Sequence, residues 1–183
     1  MAEGSRGGRE TDASLCGNVS RVVLRDMTEE DFDVLFDIQD DEVAKHMAAF
    51  TTPDGDERDS YLAKLRKIVA NDEITKKVIV LEGKVVGSVG VFVVDGDTEV
   101  TYWIRPDLWG RGLATAALAE VLSVVTVRPL WARAAADNVG SARVLLRNGF
   151  VRVGEETSYA EARGAEIKEC IYRLDEPCDC PVA

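Results

Sequence analysis

Pro106-Asp107-Leu108-Trp109-Gly110-Arg111-Gly112-Leu113-Ala114-Thr115 joins an extended apolar run, Val100 to Ile104, to an Ala- and Leu-rich helical stretch that continues to about Val124. Gly110 and Gly112 carry no Cβ, so the backbone can turn tightly and lay several N–H groups against a ligand. The helix that follows directs its unpaired first amides and the positive end of its dipole at the same place. Strand, glycine turn and helix in that order make an anion site suited to phosphate or pyrophosphate. An ordinary strand-to-helix connection would use the same glycines for the turn alone, so a second signal has to decide between the two.

The spacing excludes two phosphate-loop classes. No Gly-x-x-x-x-Gly-Lys-Ser/Thr occurs in the chain, which removes the nucleotide-triphosphate loop. The dinucleotide pattern Gly-x-Gly-x-x-Gly is met only at Gly110 and Gly112, with Thr115 in the third place. About twenty residues on, where that pattern needs a ribose-binding acid, the chain has Pro129, Leu130 and Trp131.

A third pattern fits. The loop resembles the pyrophosphate loop of the GNAT superfamily of acetyl-CoA-dependent N-acetyltransferases, Gln/Arg-x-x-Gly-x-Gly/Ala, with Gly110 and Gly112 in the two small positions. Asp107 departs from the first position of that signature. The longer run Glu99-Val-Thr-Tyr-Trp-Ile-Arg-Pro-Asp-Leu-Trp-Gly-Arg-Gly-Leu-Ala-Thr is similar to the branch that acetylates ribosomal-protein N-termini. Downstream, Asp137-Asn138-Val139-Gly140-Ser141-Ala142-Arg143-Val144-Leu145-Leu146-Arg147-Asn148-Gly149-Phe150 resembles that branch's second motif, Asn-x-x-Ser-x-x-x-x-x-x-x-Gly-Phe, at matching spacing. The two motifs span roughly residues 97 to 155. The resemblance implies that backbone groups of Trp103, Ile104 and Arg105 pair with the pantetheine arm of CoA. It also implies that amides of Trp109, Gly110, Arg111, Gly112, Leu113, Ala114 and Thr115 hold the pyrophosphate. Arg111 and Arg143 add positive charge, although Arg111 also reads as a solvated loop cation.

Acetyl transfer to nitrogen needs a neutral amine, a polarised thioester and release of the CoA thiolate. An α-amino group titrates near ~8 and a lysine near ~10.4, so the former offers far more free base at neutral pH. Glu99, at the head of the central strand, is the candidate general base; a carboxylate near about 4.3 is weak in that role unless burial or a water relay helps it. It also reads as a solvated strand-start carboxylate. Many members of the superfamily protonate the leaving thiolate with a tyrosine seven residues after the motif asparagine, and that position is Leu145 here. By resemblance to the ribosomal-protein branch, Ser141 becomes the candidate acid or thiol partner, and Asn138 a ligand for pantetheine or a water. Both residue types also cap helices, which leaves capping open for each. Tyr102 and Trp103 face opposite sides of their strand, so one reaches the substrate cleft and the other packs against helices; the alternation does not decide which, and Tyr102 is the candidate for substrate contact. His46, the sole histidine, reads as solvent-facing, and Trp131 and Phe150 as core.

A chain of 183 residues with 46% hydrophobic content is long enough for one domain with a sizeable core. A net charge of −11 argues against a general nucleic-acid binder and suits approach of a cationic amine, besides solubility. No apolar run reaches membrane-spanning length and Met1 to Asn18 has no apolar core of a signal peptide, so the expected location is cytoplasmic, without a membrane partner. Cys16, Cys170, Cys178 and Cys180 include no Cys-x-x-Cys pair, and with one histidine no metal site is expected. Cys178 and Cys180 read as a reduced pair on a loose tail.

Working outward, residues 1–19 read as a disordered tail, 20–174 as the catalytic domain and 175–183 as a second tail. Arg21 to Arg25 reads as a strand, and Thr28 with Asp31 three residues on as the start of a helix whose apolar face is Phe32, Leu35, Phe36 and Ile38. Glu42 to Met47 and the Tyr61, Leu62, Leu65, Ile68, Val69 series add two helices on either side of the turn Thr52-Pro53-Asp54-Gly55. Lys77–Leu81, Lys84–Val94 and Thr98–Arg105 form a meander through turns at Glu82-Gly83 and Asp95-Gly96-Asp97. Leu130–Ala134, the helix Val139–Arg147 and closing strands Val151–Tyr159 and Glu166–Leu174 complete an α+β chain. The expected fold is GNAT-like: a mixed, mostly antiparallel sheet of about seven strands, helices on both faces, and one splayed parallel pair.

The reading that results is an enzyme moving acetyl from acetyl-CoA to a primary amine by direct transfer in a ternary complex, since no cysteine lies in either motif to carry the group. A protein N-terminus is the expected acceptor. A small-molecule amine, including an antibiotic, is the alternative within the class, and a non-catalytic acyl-CoA-binding domain the alternative outside it. A homodimer is a candidate assembly.

Overall fold

Val78 and Ile79 are neighbours in one strand and both are fully buried, so the sheet that holds them must carry an apolar layer on each face. The computed structural model describes residues 22–50 and 58–175. Its seven strands are β1 (Val23–Asp26), β2 (Thr75–Leu81), β3 (Lys84–Val94), β4 (Asp97–Ile104), β5 (Leu130–Ala135), β6 (Val151–Ala160) and β7 (Ala165–Leu174). They form a single sheet in the order β1-β2-β3-β4-β5-β7-β6, in which β4 and β5 are parallel and every other pair is antiparallel. The five helices are α1 (Phe32–Asp40), α2 (Glu42–Ala48), α3 (Arg58–Ala70), α4 (Leu113–Val124) and α5 (Val139–Arg147).

Ile79 belongs to the larger core, with Leu118 and Val121 of α4, Leu145 of α5 and Phe150. Val78, on the other face, packs with Phe32 and Leu35 of α1 and Tyr61 and Leu65 of α3. Helices thus cover both faces, as the α+β reading requires. The hairpin turns fall where the sequence puts them: Glu82 and Gly83 have φ of 51° and 78°, and Asp95 and Gly96 have 51° and 92°, the paired left-handed residues of tight β-hairpins.

Asp31 ties the first helix to the first strand. Its carboxylate accepts from the Thr28 N–H at 2.8 Å and from both Arg25 Nη atoms at 2.7 and 2.6 Å, while its side chain is only 4% exposed. Burial alone would raise its pKa, but the Arg25 guanidinium and the Thr28 donors outweigh that and hold it below the usual carboxylate range.

The sequence left the order of the closing strands open, and two other readings change. β7 lies between β5 and β6, so the closing hairpin inserts its second strand into the sheet and leaves its first at the edge. Trp131 is only half-buried and stacks under the Arg173 guanidinium at 5.3 Å, because strand alternation gives the core face to Leu130, Ala132 and Ala134. The first strand starts at Val23. Arg21, the turn Thr52–Gly55, Cys16, Cys178, Cys180, the 1–19 tail and all but Asp175 of the second tail lie outside the described residues. No helix among the described residues is long and apolar enough to cross a membrane.

Candidate active site

The parallel strands β4 and β5 pair only at Thr98↔Leu130 and Glu99↔Trp131. Beyond those residues each strand keeps its other neighbour: β4 stays bonded to β3 as far as Gly87↔Ile104, and β5 to β7 as far as Ala135↔Glu169. The two inner edges therefore diverge, and a cavity of about 760 Å³ opens between them. Gly87 is needed where β3 closes on the end of β4, since a Cβ there would meet the Trp103 carbonyl oxygen at 2.0 Å.

One wall of the cavity is the glycine loop. Gly110 and Gly112 adopt φ of 77° and 78°, the left-handed region that residues with a Cβ avoid, and the space a Cβ would take at either is open. The first bond of α4 is Ala116 N–H to the Gly112 carbonyl, so the preceding amides of Leu113, Ala114 and Thr115 have no helical acceptor. Trp109 braces the loop by donating its indole N–H to the Ile104 carbonyl at 2.7 Å. A phosphate-bearing ligand fits this cradle: amides converge on open space at a helix N-terminus. Trp103, Ile104, Trp109, Gly110, Gly112, Leu113, Ala114 and Thr115 all line the cavity. Arg111 lies outside that lining and is exposed, and the Arg105 guanidinium is held by Asp107 at 3.1 and 3.0 Å.

A second wall is the start of α5. Asn138 caps this helix, its Oδ1 accepting from the Ser141 N–H at 2.9 Å, and its Nδ2 donates to the Met47 carbonyl at 3.0 Å. Both ends of its amide are thus engaged, which joins α5 to the end of α2. Ser141 keeps its hydroxyl free of the cap and places it 2.8 Å from the Tyr102 hydroxyl. Tyr102 shares a strand face with Val100 and Ile104 and packs against the larger core, whereas Trp103 lies on the opposite face. Burial raises the Tyr102 pKa, opposed by the Ser141 hydrogen bond, so the phenol stays neutral at any working pH. Leu145 is fully buried in the core. Arg143 lines the cavity mouth and is exposed.

The third wall is charged and comes from four strands. Glu99 of β4 accepts from Arg133 Nε of β5 at 3.2 Å, and Arg133 Nη1 also pairs with Glu169 of β7 at 3.2 Å and with Glu156 of β6. Three carboxylates thus share one guanidinium, leaving excess negative charge beside the cavity. Burial raises the Glu169 pKa, with Arg133 opposing it only in part. Arg133, Glu156 and Glu169 escaped the sequence reading; alternation along β5 and β7 puts Arg133 and Glu169 on the face opposite the core, the one signal that points to them. His46 is exposed, and its carbonyl accepts from Arg163 Nε at 2.7 Å while both Arg163 Nη atoms grip Asp137 at 2.7 and 3.1 Å. This clamp pins the β6–β7 connection to α2 beside the cavity.

A family model described as an acetyltransferase (GNAT) domain matches residues 21–151. Among solved structures, Mycobacterium smegmatis RimJ in complex with CoA-disulfide superposes with a TM-score of 0.67 at 24% identity, over 84% of this chain and 81% of that one. A phosphinothricin acetyltransferase from Sinorhizobium meliloti in complex with acetyl-CoA gives 0.74 at 17% identity, over 85% and 88%. The microcin C7 self-immunity acetyltransferase MccE, in complex with acetyl-CoA and AMP, gives 0.70 at 16% identity, over 85% and 92%. No curated protein sequence matches the chain.

Proposed function

The chain belongs to the GNAT acetyltransferase family, and from that premise we propose that it moves an acetyl group from acetyl-CoA to a protein N-terminal α-amino group by direct transfer. The observation that carries this reading is the gap between β4 and β5, which opens onto left-handed glycines and free helix amides on one side and onto Glu99 and Arg133 on the other.

Acetyl-CoA supplies the activated acyl group. The amides of Leu113 to Thr115 and the Gly110–Gly112 backbone hold its pyrophosphate, and the free inner edge of β4 takes the pantetheine by strand-like hydrogen bonds. Glu99 accepts the proton that the amine loses, directly or through a water. This favours an amine that already offers a substantial neutral fraction near neutral pH, an α-amino group near ~8 over a lysine near ~10.4. The unbalanced carboxylates around Arg133 attract the protonated form of that amine to the cavity mouth. Ser141 faces the leaving sulfur.

A matched peptide pair tests the acceptor. A peptide with a free N-terminus and an acetylated lysine is expected to gain one acetyl group, read by mass spectrometry, at least ten times faster than the same peptide with a blocked N-terminus and a free lysine. Preference for a small amine such as an amino acid or aminoglycoside over both peptides would replace the protein acceptor by a small-molecule one.

A further inference from the structure

The α5 side of the cavity contains a pair of hydroxyls at close range. Tyr102 Oη and Ser141 Oγ lie 2.8 Å apart, at the favoured length of an O–H···O bond, and the Ser141 carbonyl offers Tyr102 a second, longer acceptor at 3.2 Å. Ser141 is held in place independently, because its N–H is fixed by the Asn138 cap. Tyr102 is fixed too, by its packing against the main core. Each hydroxyl has one hydrogen, and a contact between two hydroxyls uses one of them. If Tyr102 donates, the Ser141 hydrogen is left over and the cavity is the space open to it, since both residues line the cavity.

Resting on the acetyltransferase reading above, we infer that Tyr102 is a positioning residue for the leaving group: it donates to Ser141 Oγ and so turns the Ser141 O–H toward the CoA sulfur. As the amine nitrogen forms the C–N bond, the C–S electron pair passes to sulfur, which departs as a thiolate held by the Ser141 O–H hydrogen bond. The proton lost by the amine goes to Glu99 or its water; no proton leaves Ser141 or Tyr102. A thiolate leaving group is held by this one donor, and the buried phenol, which resists ionisation, is a steady donor to Ser141. The pair takes the place of the phenol that Leu145 cannot supply.

Titration of the thiolate absorbance of CoA bound to the full-length protein tests this without any acceptor amine. The bound thiol is expected to titrate about one pH unit below free CoA. Tyr102→Phe and Ser141→Ala are each expected to abolish that shift, and the double variant to go no further; kcat with a free N-terminal peptide falls about tenfold in Tyr102→Phe while KM for acetyl-CoA changes less than twofold. Uniform replacement of tyrosine by 3-fluorotyrosine keeps the shape, makes a stronger donor, and is expected to deepen the shift even where Tyr102→Phe does not fold. A wild-type shift in Tyr102→Phe, additive losses in the double variant, or indifference to fluorination would overturn the assignment. Failure of wild-type protein to bind CoA would instead overturn the acetyltransferase reading itself.

Discussion

On the α4 side of the gap between β4 and β5, the wall is backbone from one continuous stretch, Gly110 to Thr115, because the Trp109 amide already donates to the Pro106 carbonyl; on the opposite side it is charged side chains from four strands, Glu99, Arg133, Glu156 and Glu169. The first wall depends on φ at two glycines and is indifferent to most side chains. The second depends on side-chain charge and is indifferent to the local backbone. A donor common to a family suits the first kind of construction, since amides read any pyrophosphate alike. An acceptor peculiar to one enzyme suits the second, where each carboxylate is free to change.

The largest loss on the charged wall is expected at Glu99, the proposed proton acceptor. Glu99→Gln removes the proton acceptor without changing shape, so kcat should fall about 100-fold in steady-state assays while affinity for acetyl-CoA stays within twofold. A matching loss of affinity would show the two walls to be coupled.

Arg133→Met sharpens the comparison. Without the guanidinium, the three carboxylates face one another unscreened, and the buried Glu169 loses the partner that opposes its burial, so its pKa rises further. The acid limb of the kcat/KM profile should move to higher pH, with a loss of roughly 10-fold at neutral pH and little change at high pH. An unshifted profile would show that Arg133 does not govern the base.

The two walls also differ in how far they can be read from sequence. The glycine loop, α4 and α5 emerge with their observed bounds, as does β3, because each rests on local pattern: left-handed glycines, an apolar helical stripe, a β-branched run between turns. Asn138 and Ser141 likewise sit three residues apart on one helix start. The Arg133 cluster depends on β7 entering the sheet between β5 and β6, and no local pattern encodes that order. Trp131 shows a finer failure: its size suggests the core, yet the alternation Leu130, Ala132, Ala134 already assigned the core face to its neighbours.

The smallest effect is expected away from both walls. Asp31→Asn weakens the bond to Arg25 and should cost about 2 kcal/mol of stability at pH 7, read by denaturant unfolding, with kcat per folded molecule unchanged. Asp31 has a lowered pKa in the folded state, so its contribution is full above the ordinary carboxylate pKa and disappears as pH falls through the lower folded value. The difference between variant and wild type should therefore shrink as pH is lowered below about 4.

The most direct test of the central claim is calorimetric titration with acetyl-CoA of the wild-type protein beside Gly112→Asp, which forces a side chain and a negative charge onto a left-handed residue in the amide cradle. Micromolar binding by the wild type, lost in the variant while its fold persists, is the predicted result. Equal binding by both, or none by the wild type, would contradict the account.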